Sequence, residues 1–198
     1  MGFTSFTIDD FAGKLAAGTS TPGGGAAAGL MAKLSACLIQ MVANHTAGRP
    51  RYAAVEDRMQ AILREAGALD RKAGELMDAD SAAFGGVSAA FKLAKDDPSR
   101  AQAVSEACKI ATDVPLDVMR ASAQLAELAA EVYAKGNQTL TGDARSALFA
   151  AQAAAECSAG NVRANRSFIT DTAWTDRANA EADQLLAHIQ SLRSQVGA

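Results

Sequence analysis

The segment Ser20-Thr21-Pro22-Gly23-Gly24-Gly25 has the makings of a ligand cradle. Three glycines ahead of an apolar run put bare N–H groups at the positive end of a helix, where an anion or the polar edge of a ring can sit. Without side chains in the way, a flat molecule can also lie against the main chain. Neither common nucleotide motif is present: no strand precedes the glycines at dinucleotide-fingerprint spacing, and no Gly-Lys-Ser/Thr follows them. A second cluster, Asn44, His45, Thr46, Arg49, Arg51 and Tyr52, closes the apolar run. Its two guanidinium groups suit a carboxylate tail, whereas His45 at a helix end reads more readily as structural. Asp78 and Asp80 stand two apart on one helix and so point different ways; Asp80, beside the apolar Leu76-Met77 pair, is the one expected to turn inward. Lys135, Asn137 and Asp143 form a fourth group. Asp143 is expected to be an N-cap, and an acid there is also placed to face a cation. Asn161 and Asn165, one helical turn apart, share a face in an alanine-rich segment, where buried amides need partners.

Positioning these groups falls to helices. Of the 198 residues, 49% are hydrophobic and only 5% aromatic, so alanine, leucine and valine carry the apolar content. Alanine loses no side-chain entropy in a helix and lets helices approach closely. No segment alternates apolar with polar residues, so no sheet is expected, and one domain over residues 1–198 fits the length. Seven helices are expected: Thr7 to Gly18, Gly25 to Thr46, Tyr52 to Leu93, Asp97 to Ala111, Asp113 to Lys135, Asp143 to Asn165, and, after a turn from Arg166 to Asp171, a last one running to Gln195. The fourth and fifth each open on an acid followed by Pro98 or Pro115. The apolar faces include Phe84 in the third helix and Ala178, Ala182, Leu185, Ile189, Leu192 and Val196 in the last.

Composition also excludes. A net charge of -3 leaves no basic footprint for nucleic acid. Cys37, Cys108 and Cys157 are too scattered for a disulfide framework or a zinc site and read as small buried hydrophobes in a reducing cytoplasm. No metal-ligand cluster is visible. The N-terminus lacks the pattern of a signal peptide. The run Gly25 to Ala43 is nearly all apolar, but Lys33 near its middle argues against a membrane span and for a helix in a protein interior or a subunit interface.

These stretches occur in a fixed order: Ser20-Thr21-Pro22-Gly23-Gly24-Gly25, Met41-Val42, Thr46-Ala47-Gly48-Arg49 with Tyr52, Asp80 with Ala83-Phe84, Val114-Pro115-Leu116, Lys135-Gly136-Asn137, Gly142-Asp143, and Asn161-Val162 with Asn165. In order, spacing and length they resemble the cyclodeaminase/cyclohydrolase family of folate enzymes over nearly the whole chain. The resemblance implies an all-α, multihelical domain that forms a cytoplasmic homodimer and takes a tetrahydrofolate derivative as substrate, without metal or nucleotide. It implies a folate site lined by Thr21, Pro22, Gly23, Gly24 and Gly25, by Asn44, Thr46, Arg49 and Tyr52, and by Lys135, Asn137 and Asn161, with Asp143 and Asp80 as the catalytic carboxylates. The expected reaction is hydrolysis of 5,10-methenyltetrahydrofolate to 10-formyltetrahydrofolate. The related cyclodeaminase reaction is the alternative, disfavoured because no formiminotransferase domain accompanies this chain. Gly142 and Arg145 depart from the family pattern and leave room for a member acting on another ligand.

Overall fold

The structure is a computed structural model that describes residues 2–197. The first helix, α1 (Ile8–Ala16), starts where the sequence places it. Thr7 accepts from the Asp10 N–H at 3.0 Å, and the Asp10 carboxylate takes the Thr7 N–H in return, a reciprocal arrangement that satisfies two otherwise orphaned donors. Next come α2 (Gly24–Asn44), α3 (Glu56–Phe91), α4 (Arg100–Lys135), α5 (Thr141–Ala164) and α6 (Thr172–Arg193), with short 3-10 turns between some of them. Asp171 caps α6 by accepting from the Trp174 N–H at 3.0 Å.

Among the described residues there are six α-helices and no strand. The count falls one short of the seven expected because α4 runs unbroken through Pro115, which is buried inside it. A proline in a helix interior costs about 3 kcal/mol relative to alanine. Burial of Cys108 and Thr112 on one side of it, and of Leu116, Val118 and Met119 on the other, outweighs that. Asp97-Pro98 likewise does not open the helix. Asp97 folds over the Ser99 N–H and hydroxyl at 2.8 and 2.7 Å, and α4 begins at Arg100. Gly85 and Gly86 lie within α3 without ending it.

The long helices run alternately up and down. Arg58 pairs with Glu131 and Lys72 with Asp117, so α3 and α4 are antiparallel. Ser35 of α2 donates to the Ala147 carbonyl of α5 at 2.8 Å across a fully buried contact. The sixth helix lies parallel to α4, tied to it by Arg120–Glu181 and His188–Glu127. Packing of α2 on α3 is close because Gly29 has no side chain: a Cβ there would stand 2.8 Å from Met77 Cγ. Alanines 28, 32, 36, 126, 129, 147, 151, 154 and 155 fill the seams between α2, α4 and α5 around Ile39, Met119, Leu125 and Leu148. The expected inner face of α6 is buried at Ala178, Ala182 and Ile189 and in part at Leu185 and Leu192.

This alternation gives the bundle two ends. The loop before α2, the α3–α4 connection and the α5–α6 connection share one; the α2–α3 and α4–α5 connections share the other.

Candidate active site

At the glycine end lies an open cleft of about 300 Å³, at the small end of the usual range for ligand sites. Thr21, Gly23, Gly24 and Gly25 form one wall, with Ser20 beside them. Asp80, Phe84 and Val87 come from α3, Ala111 from α4, and Asn161, Ala164 and Asn165 from the end of α5. Pro22 is buried just behind the wall, and the Thr21–Pro22 peptide is cis. Gly23 offers α2 no side-chain cap. Asp80 does part of that work from the neighbouring helix, accepting from the Ala26 N–H at 3.1 Å.

Asp80 is held against Gly25, where a Cβ would overlap its carboxylate. Burial pushes its carboxyl above the usual carboxylate range, and the Ala26 N–H, which favours the charged form, only partly offsets this. A desolvated acid beside a helix N-terminus can take up or release a proton and can attract a bound cation. Asp78 points elsewhere, as the spacing predicts, and accepts from the Phe3 N–H at 2.8 Å. Asn165 does not spend its side chain capping the turn that follows α5. Phe84 is 45% exposed and turned to the cleft, which corrects its assignment to the apolar core face of α3. The family motif includes the position, but its role as a wall, with Val87 and Ala111, has no sequence signal of its own.

The rest of the expected site lies at the other end of the bundle. Thr46 is fully buried; its hydroxyl donates to the Val42 carbonyl at 2.7 Å and accepts from the Asn137 N–H at 2.9 Å. Tyr52 donates to Asn137 Oδ1 at 3.3 Å and accepts from the Gln138 N–H at 3.2 Å, while Asn137 Nδ2 reaches the His45 carbonyl at 3.3 Å. Within one chain these three residues tie the end of α2 to the α4–α5 turn. Asn44 and Arg49 are exposed there, Arg51 lies over the Tyr52 ring, and Lys135 pairs with Glu131 at 2.9 Å. Asp143 is half-buried in the first turn of α5. It is not the N-cap, because α5 starts two residues earlier at Thr141 with Leu140 in the capping place. Positions 143 and 161 stand 18 residues apart on α5, about 27 Å at the helical rise of about 1.5 Å per residue. Asp143 therefore does not enter the glycine cleft of its own chain.

Two further readings change. Cys37 and Cys157 are exposed, and only Cys108 is a buried hydrophobe. Among the described residues no group of three or more His, Cys, Asp or Glu side chains is arranged to hold a metal ion.

The sequence model of the family described as formiminotransferase-cyclodeaminase matches residues 7–184. The chain is 34% identical over 194 residues to the methenyltetrahydrofolate cyclohydrolase of Methylorubrum extorquens, covering 96% of this chain and 93% of that one. It is 29% identical over 184 residues to the formimidoyltransferase-cyclodeaminase of Mus musculus, covering 91% of this chain but 34% of the mouse protein. The crystal structure of formiminotetrahydrofolate cyclodeaminase from Thermotoga maritima superposes with a TM-score of 0.91 at 27% identity, covering 98% of this chain and 94% of that one.

Proposed function

The chain belongs to the formiminotransferase-cyclodeaminase family, and from that premise we propose that it hydrolyses 5,10-methenyltetrahydrofolate to 10-formyltetrahydrofolate, with the glycine cleft as the seat of the pterin. The observation that carries this reading is Asp80: a desolvated carboxyl fixed beside the bare backbone of Gly23–Gly25. The substrate is an amidinium cation whose bridging carbon joins two nitrogens. A carboxylate stabilises that cation on binding. Water then adds to the bridging carbon, Asp80 takes the proton, and the tetrahedral adduct opens by breaking its bond to one nitrogen. The formyl group stays on the other nitrogen, and one proton is released overall. General-base assistance of this kind is worth roughly 10²–10⁴ in rate. The glycines present N–H donors and a flat surface, Phe84 supplies an apolar wall for a ring, and Asn161 and Asn165 offer amides to its polar edge. None of these steps calls on a metal or a nucleotide. The same reading makes the protein a cytoplasmic homodimer.

A second reading has its own support in the close fold match to the Thermotoga maritima cyclodeaminase. There a folate nitrogen attacks a formimino carbon and ammonia leaves, giving methenyltetrahydrofolate. One spectrophotometric experiment separates the two. Purified protein with methenyltetrahydrofolate should speed the loss of its absorbance, and with 5-formiminotetrahydrofolate should produce no such absorbance. Asp80→Asn should remove about 10²-fold or more of the gain. A wild-type protein inert toward methenyltetrahydrofolate ends the proposal.

A further inference from the structure

Pro115 stands inside α4, buried and apart from the cleft wall. Its effect on the cleft is exerted one turn earlier. In an α-helix each N–H donates to the carbonyl four residues before it. Proline has no N–H, and its ring presses on that carbonyl. The carbonyl left without its helical donor is that of Ala111, and Ala111 is the α4 residue that lines the glycine cleft. It is only half-buried, whereas Cys108, Thr112 and Pro115 around it are buried.

The neighbouring donors are spent elsewhere. Thr112, next in the chain, gives its hydroxyl hydrogen to the Cys108 carbonyl at 2.7 Å. Ser105, on the same helix, is paired with Thr170 at 3.1 Å. Among the described residues no N–H of a turn or cap reaches Ala111. A backbone carbonyl in such a place needs a partner, and the open side of Ala111 is the cleft.

The glycine wall has the reverse polarity. Gly23 gives α2 no side-chain cap, and Asp80 takes only the Ala26 N–H, which leaves the N–H groups of Gly24 and Gly25 for a ligand. The cleft therefore holds backbone donors from α2 and a backbone acceptor from α4, and Asn161 and Asn165 add amides that serve in either sense. A ring whose edge carries both a carbonyl and N–H groups matches that pattern. A ring with acceptors alone would leave the Ala111 carbonyl covered and unpaired, which disfavours it. The pyrimidine edge of a reduced pterin is of the first kind.

We infer that the Ala111 carbonyl, released by Pro115, accepts a ring N–H of the substrate, and that Pro115 is the positioning residue for this contact. The identity of the ring rests on the folate reading above. The contact is to the ring edge and not to the bridging carbon, so it strengthens substrate and transition-state binding alike.

Replacing Pro115 returns an N–H to α4 and takes the Ala111 carbonyl out of use. Pro115→Ala and Pro115→Val both do this, and they differ in how much of the ring's volume they keep. In the methenyltetrahydrofolate assay both should raise KM by about 3–10-fold, the span of one neutral hydrogen bond, with kcat unchanged. Isothermal titration with 5-formyltetrahydrofolate, a stable reduced folate, should show the same loss of affinity, and circular dichroism should show the helical content retained. Equal KM values in wild type and both variants overturn the inference. So does a rise in KM that is larger for alanine than for valine, or one joined to a fall in kcat, because lost packing then accounts for it. Should one variant misfold, the other still reads KM against kcat. A wild type that neither turns over methenyltetrahydrofolate nor binds 5-formyltetrahydrofolate ends the folate reading, and with it the ligand assigned to Ala111; an active wild type with indifferent variants ends the inference alone.

Discussion

Adding one methyl group at Gly25 should disable the cleft with little damage to the fold. Its Cβ would stand 2.8 Å from Asp80 Oδ2 and overlap the rest of that carboxylate, so the side chain must rotate away. Rotation breaks the 3.1 Å bond from the Ala26 N–H. Losing a hydrogen bond to a charged acceptor costs about 1.5–3 kcal/mol. Alanine returns about 1 kcal/mol of helix propensity, leaving a net loss of about 0.5–2 kcal/mol. For a chain of this length that lowers Tm by roughly 1–8 °C. Turnover should fall much further, by about 10²–10⁴, because the base has left its place. Gly24→Ala is the internal control: nothing lies within 4 Å of a Cβ there. It should hold or slightly raise Tm, and should weaken substrate binding only through the methyl added to the cleft wall. Differential scanning fluorimetry and the methenyltetrahydrofolate assay read both quantities. Full turnover in Gly25→Ala, or equal destabilisation by the two substitutions, would refute the role assigned to Asp80.

Other perturbations test neighbouring steps. Burial raises the Asp80 pKa, so the ionised form is penalised in the fold; the penalty is absent below the ordinary carboxylate range and grows as pH rises through the folded value. Asp80→Asn should therefore be at least as stable as wild type near pH 7, with the advantage shrinking towards about pH 4; lower stability near pH 7 in urea unfolding would mean that the Ala26 hydrogen bond outweighs burial. Thr46→Val keeps the shape but leaves the Asn137 N–H without its acceptor, and should cost about 1–3 kcal/mol; a urea midpoint equal to wild type would sink this. Pro115→Ala restores a backbone donor inside α4. It should gain about 3 kcal/mol of propensity against about 2 kcal/mol of lost ring burial, for a slightly higher Tm; a fall in Tm would show that the ring's packing matters more.

What the sequence reveals here is local, and what it conceals is set by packing. Thr7 announces its helix because a cap is a short-range device whose partner lies three residues on. The unbroken apolar character of α2 announces burial, but not by what, so Cys37 reads as interior although it lies on the outer side. Pro115 misleads for the opposite reason: its local cost is real, and only contacts far away in sequence outweigh it. That single misreading also governs the site. In an up-and-down bundle each complete helix carries the chain to the opposite end. Between the glycine loop and Asp143 the structure has three helices, α2, α3 and α4, so the two lie at opposite ends. A break at Pro115 that turned α4 back on itself would add a fourth crossing and return Asp143 to the glycine end, inside one chain. Whether Asp80 and Asp143 share one end of the chain therefore depends on an odd or even number of helices, which no motif spells out.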